Sequence, residues 1–280
     1  MPKMFPSVAR IARHTLLDEM RQKSFIVMFA VCALCVFLVR GCYHGDYMVN
    51  GQHVDAGVIV SAVSKVTFHI IGAGVMVIAA LLSMRIFRRD RNDGTQSCVL
   101  SKPIARCRYV AGKIVGVWVV SLLFMFVLHG IVFLVTSLSL RDFMPEYLAA
   151  SLLCSVNLLF VVVAVLLLSL LMPDIVAFLC VLGIGVVSFV ADGIFAVSHS
   201  QMAQAMMRQS GAAPHSDLTW WKVVYYAWPK LLGVQQSATS LLGSDPFQGL
   251  GSLYPFINVL LYCLVLGAAL FRRFGKEDIG

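Results

Sequence analysis

Charge is what this 280-residue chain has least of. Only 13% of its residues are Asp, Glu, Lys or Arg, against 59% hydrophobic. Soluble domains run closer to a quarter charged, so a water-facing surface of ordinary size is excluded. Nucleotide and hydrolase motifs are missing too. No G-x-x-x-x-G-K-[ST] occurs; the nearest fragment, Gly112-Lys113-Ile114, has neither the upstream glycine-rich loop nor the hydroxyl residue that a triphosphate cradle needs. There is no H-E-x-x-H and no G-x-S-x-G, and no convincing set of paired acids, or of a nucleophile with a base, at helical spacing for an intramembrane enzyme. The eight cysteines do not form a disulfide framework: Cys32, Cys35, Cys154, Cys180 and Cys263 lie in apolar runs, Cys98 and Cys107 in a basic stretch, and Cys42, which alone would face an oxidising compartment, has no obvious partner. Cys32 and Cys35 make a C-x-x-C without a second ligand pair, which reads as buried apolar cysteine. The first 24 residues carry Arg10, Arg13, Asp18, Glu19, Arg21 and Lys23 and contain no uninterrupted signal-peptide core.

What is there is long apolar runs. Crossing about 30 Å of hydrocarbon takes roughly 20 mostly apolar residues. Six segments qualify, at about 24–41, 62–84, 112–139, 147–172, 174–198 and 253–271, with Met172-Pro173-Asp174 as a tight turn between the fourth and fifth. Residues 4–21 precede them as an amphipathic helix. Phe5, Val8, Ala12, Leu16 and Met20 recur at helical spacing, with Ile11 and Leu17 beside them, and this predicts a helix lying apolar face down in the membrane interface. The expected fold is therefore all-α: one membrane domain over residues 1–280, with an elbow helix and six spans.

Basic residues orient it. Sixteen of the 22 Lys and Arg fall before the first span, between the second and third, or after the sixth; the rest are Arg40, Lys65, Arg141, Arg208, Lys222 and Lys230. The positive-inside rule then places both termini and the 85–112 loop in the cytoplasm and the 199–252 loop outside. The net charge of +8 is thus a topology signal rather than a nucleic-acid surface. The outer loop carries Trp220, Trp221, Tyr225, Tyr226 and Trp228, which predicts short helices at the outer leaflet. His199, Met202, Met206, Met207 and His215 in that loop could suit copper, but methionines at this spacing are also what an interfacial helix shows.

Few ionisable residues lie near the spans. Lys65 and His69 sit at i, i+4 on the second, and Asp192 near the outer end of the fifth, where Lys65 and Asp192 are candidates to pair at a translocation path or outer gate. Lys65 snorkelling and Asp192 facing water is the plainer alternative. His129 and Asn157 lie within the third and fourth spans. Gly112-x-x-x-Gly116 and the pairs Gly72/Gly74 and Gly183/Gly185 are candidate sites of close helix approach.

The richest stretch is 85–116, RIFRRDRNDGTQSCVLSKPIARCRYVAGKIVG. Asn92-Asp93-Gly94-Thr95 reads as a turn and a helix start, and the helix must stop near Lys102 because Pro103 follows. A short helix lying across two span ends, exposing Val99 and Leu100 and with Gln96 on its solvent side, is what a docking partner would grip; a basic loop on anionic lipid is the plainer alternative.

Asp90-Arg91, Gly94-Thr95, Ser101-Lys102-Pro103, Ala105-Arg106-Cys107-Arg108-Tyr109 and Gly112-Lys113 together resemble the cytoplasmic coupling loop of ABC-2 type ABC transporter permeases. Gln96 and Ser97 depart from the family's usual apolar-acidic pair, and Asp90 stands where Glu is common. The resemblance implies a bacterial inner-membrane permease that pairs with a second copy or a paralogue in the bilayer. A separate ABC ATPase would hold ATP and Mg, with no cofactor on this chain and no nucleic-acid partner. The coupling residues it implies are Asp90, Asp93, Gly94, Thr95, Val99, Leu100, Pro103, Arg106 and Arg108, beside the outer candidates Lys65, His69 and Asp192. Export driven by that ATPase is the implied activity. Force transmission to a periplasmic partner, as in copper-enzyme maturation, a membrane enzyme and a plain membrane anchor are the alternatives.

Overall fold

The computed structural model describes residues 5–38, 48–49, 52–53, 56–101, 105–140, 145–198, 225–240 and 249–276. Ten helices are labelled here: α1 (Phe5–Met20), α2 (Lys23–Leu38), α3 (Ala56–Met84), α4 (Ile86–Asn92), α5 (Thr95–Leu100), α6 (Arg106–Leu140), α7 (Glu146–Ser169), α8 (Asp174–Ser198), α9 (Leu231–Thr239) and α10 (Gly249–Gly275). Two strands of two residues each, β1 (Met48–Val49) and β2 (Gln52–His53), pair antiparallel between α2 and α3.

Among the described residues five helical segments are long and apolar enough to cross a bilayer: Ala62–Asn92, Arg106–Leu138, Glu146–Ser169, Asp174–Gly193 and Leu253–Gly275. Ser7–Met20 and Phe25–Leu38, bent by 67° at the break between them, supply the sixth candidate together. The predicted second, third and sixth spans were short at their ends, because charged residues such as Arg106 and Arg272 continue the helices past the apolar core. At 35 residues α6 is about 52 Å long, so several turns outrun the hydrocarbon.

The bundle is apolar outside as well as inside, unlike a water-soluble one. The central helix is α7, whose Leu158, Val162, Val165 and Leu166 have no exposed surface. On α8 and α10 large apolar side chains face outward, among them Ile175, Val186, Ile257 and Leu264 at 55–71% exposure. An apolar exterior of this extent is stable against lipid tails and costly against water.

The amphipathic α1 is present, but it does not simply present its apolar stripe to lipid. Thr15 and Glu19 are its buried residues, while Leu17 and Met20 face outward. Gly112 and Gly116 explain this. A Cβ at Gly112 would stand 2.6 Å from Ile11 Cγ2, and one at Gly116 would stand 2.7 Å from Thr15 Cβ. The two glycines open a groove on α6, and the face of α1 carrying Ile11, Thr15 and Glu19 fills it. Of the other expected close approaches, Gly72 is one, with Gln235 Nε2 2.5 Å from its added Cβ; Gly74, Gly183 and Gly185 look onto open space.

The described part of the predicted outer-leaflet loop, residues 225–240, enters the bundle instead. Leu231, Val234 and Ala238 of α9 are fully buried, and Gly233 lies against the Pro255 ring of α10. Trp220, Trp221 and the His/Met cluster from His199 to His215 lie outside the described residues.

Candidate functional site

Two polar clusters stand at opposite ends of the bundle. The first is at the basic end, where α3 gives way to α4. Gly94 adopts φ +67°, a left-handed conformation that glycine takes without steric cost, and it closes α4 with its N–H donating to Arg91 O at 3.2 Å. The chain then turns into α5, which ends at Leu100, two residues before the expected limit.

Asp90, 4% exposed, faces α6 from this short α4. Its Oδ2 accepts a short hydrogen bond from the Tyr109 hydroxyl and an ion pair from Lys113 Nζ at 2.6 Å. Tyr109 and Lys113 are four residues apart, so both project from one face of α6. A buried carboxylate is tolerable only when paired and hydrogen-bonded, and here both conditions hold. The next residue, Arg89, reaches the opposite way, to Asp18 at 2.5 Å and Glu19 at 2.7 Å on α1. Arg88 pairs with Asp174 at the start of α8 at 3.4 Å. Phe274, near the end of α10, stacks on Tyr109 with centroids 5.8 Å apart, and Arg106 donates to Gly275 O at 3.1 Å. One seven-residue helix is thus fastened to α1, α6 and α8, with α10 packed on the same cluster.

The other expected residues of this segment fall out unevenly. Asp93 and Cys98 are exposed, Gly94, Thr95 and Arg108 are half-buried, and Arg106 is exposed at its bond to α10. Val99 is not unpartnered, because it packs half-buried against the hydrophobic core. Gln96 is not on the solvent side either: it is 2% exposed, and neither of its amide atoms has a hydrogen-bond partner among the described residues. The helical period explains both, since 96 and 99 share the face that α5 turns to the bundle. Pro103 and the Leu100 side chain lie outside the described residues.

The second cluster corrects the expected Lys65–Asp192 pair. Asp192 Oδ1 lies 2.8 Å from Lys230 Nζ, and both side chains are 4% exposed. Asp192 Oδ2 accepts from Gly233 N at 3.2 Å, which satisfies a free N–H in the first turn of α9. Lys230 Nζ also lies over the Tyr225 ring, 2.7 Å from its centroid. Around the same turn, Ser188 Oγ donates to Pro229 O at 2.6 Å and accepts from Leu231 N, Asn157 Nδ2 donates to Leu231 O at 2.8 Å, and Lys230 N donates to Asn258 Oδ1 at 3.2 Å. Burial holds the Lys230 ammonium below its ordinary value against the pull of Asp192, and burial followed by the Asp192 charge raises the Tyr225 hydroxyl. Lys65 is half-buried on α3, where its carbonyl is hydrogen-bonded to His69 Nδ1 at 2.8 Å. His129 is enclosed by Ser151 Oγ at 2.8 Å and the Phe68 ring stacked 4.4 Å away, a packing role rather than a path-lining one.

In the second cluster Lys230 is the residue that sequence reasoning missed, as Arg89, Tyr109 and Lys113 are in the first. The available signal was its place among the six basic residues on the sparse side, directly after Trp228-Pro229 and before an apolar turn.

Over residues 9–279 the chain matches the family model described as ABC-2 family transporter protein. No curated protein matches it.

Proposed function

The chain belongs to the ABC-2 family of transporter proteins, and on that premise we propose that it is the permease subunit of an ATP-driven exporter, coupled through α5 to a separate ABC ATPase. It is a multi-pass membrane component and not catalytic itself. In this reading the ATPase partner binds ATP and magnesium, two permeases face each other across a path, and both termini and residues 85–113 are cytoplasmic. ATP-driven closure of the ATPases pushes on α5. The push passes through Gly94 into α4. From there Arg89 carries it to the elbow helix and Asp90 carries it to α6.

The observation that supports this reading best is Asp90 buried between Tyr109 and Lys113. A loop that merely lay on lipid would have no need of a buried ion pair at its root. A two-point attachment of α4 to α6 turns displacement of a six-residue helix into displacement of a span. Export is the activity this reading assigns to a member of a family described as transporters.

The test uses Cys98, which is exposed on α5. In a variant that retains Cys98 alone among its cysteines, a membrane-impermeant maleimide will leave intact cells unlabelled and will label permeabilised ones. Co-expression of the cognate ATPase will protect the thiol. Labelling from outside the cell, or equal labelling with and without the ATPase, would contradict the proposal.

A further inference from the structure

Two cavities follow α3: one at its junction with α4, closed by the ends of α1 and α2 and by the first residue of α8, and one between α3 and α8 within the spans. At the basic end is a cleft of about 730 Å3, walled by Glu19, Arg85, Arg88, Asp93 and Asp174 and floored by apolar residues including Leu81. Further along the same two helices runs a groove of about 250 Å3, bounded by Ala73, Val77, Ala80, Gly185, Val186 and Val190. Met84 in the cleft and Ala80 in the groove are one turn apart on the same face of α3, and Asp174 and Val181 are two turns apart on the same face of α8, so the two volumes follow one another along these helices as one seam. From Arg85 to Ala73 the helix rises about 18 Å. The seam is therefore charged at the membrane surface and apolar for most of one leaflet.

We propose that this seam binds a phospholipid with an amine-bearing, zwitterionic head group, its phosphate held by Arg85 and Arg88 and one acyl chain lying in the α3–α8 groove. The leaflet is the cytoplasmic one, on the orientation given under Proposed function.

The division of polarity selects the ligand. A docked ATPase could cover the charged cleft, but it would not enter a groove within the spans. A helix from a second copy could cover the groove and would leave the cleft's charges unmet. A lipid meets both. Small residues at Ala73, Ala80 and Gly185 give the groove its depth, and an added Cβ at Gly185 meets nothing within 4 Å. Its outer rim, Val77, Val186 and Val190, is 38–55% exposed, so a chain can enter sideways from the bilayer.

The charges select the head group. Glu19 is engaged by Arg89. Arg88 holds Asp174 only at 3.4 Å and is 72% exposed, so it remains available to a phosphate. Arg85 and Asp93, at the two ends of α4, have no ion-pair partner among the described residues. The cleft thus offers a cation to a phosphate and a carboxylate to an ammonium. An anionic head group without an amine would leave Asp93 facing its negative charge.

Native mass spectrometry of the purified full-length chain, equilibrated with equal phosphatidylethanolamine and phosphatidylglycerol, reads this directly and needs no ATPase. The wild type will retain one phosphatidylethanolamine. Gly185→Leu, which adds bulk in the groove where a Cβ meets nothing within 4 Å, and Arg85→Gln, which removes the phosphate partner, will each lower its occupancy about tenfold, as expected for one lost charge-assisted or packing contact. Gly74→Leu adds the same bulk on α3 off the groove, again into open space, and will retain lipid as the wild type does. Preferential retention of phosphatidylglycerol, unchanged retention in both Gly185→Leu and Arg85→Gln, or equal loss in Gly74→Leu would overturn the proposal.

Discussion

Asp90→Ala will destabilise the purified protein by about 3–5 kcal/mol, because it leaves the Lys113 ammonium buried without its counter-charge. Lys113→Met will cost a comparable amount, leaving the Asp90 carboxylate with the Tyr109 hydroxyl as its remaining partner. The double variant Asp90→Ala/Lys113→Met will recover a large part of either loss, since removing both charges removes the desolvation cost as well as the attraction. Equilibrium unfolding in mixed micelles, followed across the four proteins of this double-mutant cycle, measures the coupling directly. Additive single-mutant losses would show that the two groups do not depend on each other. The same variants separate structure from coupling: in the double variant the bundle folds, yet α4 has lost its grip on α6, so an ATPase partner will turn over ATP without driving transport.

At the other end of the bundle, Asp192→Ala will cost a similar 3–5 kcal/mol. It strands Lys230 and also exposes the Gly233 N–H, so α9 loses both its charge anchor and part of its first-turn hydrogen bonding. Lys230→Met in the Asp192→Ala background will restore part of the stability, whereas Lys65→Met in the same background will restore none. Lys65→Met alone stays within about 0.5 kcal/mol of wild type, as is usual for a residue outside a buried network. These variants are read by the same unfolding assay. Rescue of Asp192→Ala by Lys65→Met rather than Lys230→Met would reinstate the pairing that sequence reading suggested.

The layers of the molecule are more legible in the sequence than the contacts between them. Long apolar runs and the one-sided distribution of Lys and Arg are properties of single segments, so spans, the Met172-Pro173-Asp174 turn and the Gly94 turn were legible without coordinates. Contacts between distant segments were legible only where a motif stood in for them. Gly112 and Gly116 marked a close approach, but nothing in the spacing said that α1 would fill it with Thr15 and Glu19 rather than rest on lipid. Asp90 was singled out by its place in a family-like loop, whereas its partners Tyr109 and Lys113 emerged from packing. The error at Lys65 has the same origin. A half-polar segment such as 225–240, rich in aromatic residues, has the composition of an interfacial loop, and only docking against α7, α8 and α10 brings Lys230 rather than Lys65 to Asp192. Gln96 and Val99 were misplaced because a six-residue helix is too short for its periodicity to reveal which face is turned inward.

The central claim is that α5 is the element through which an ATPase drives the bundle. It is tested most directly by measuring ATPase association and ATP turnover in membranes for Leu100→Asp and Cys98→Arg, with Lys276→Glu at the exposed end of α10 as control. Burial of one leucine in an interface contributes roughly 1.5–3 kcal/mol, enough to lower association more than tenfold when a charge replaces it. The account predicts that both α5 variants lose the ATPase or fail to stimulate it, while Cys98→Arg, which alters an already exposed position, keeps the unfolding profile of wild type and the control keeps all three properties. Normal association and normal turnover in both α5 variants would contradict it.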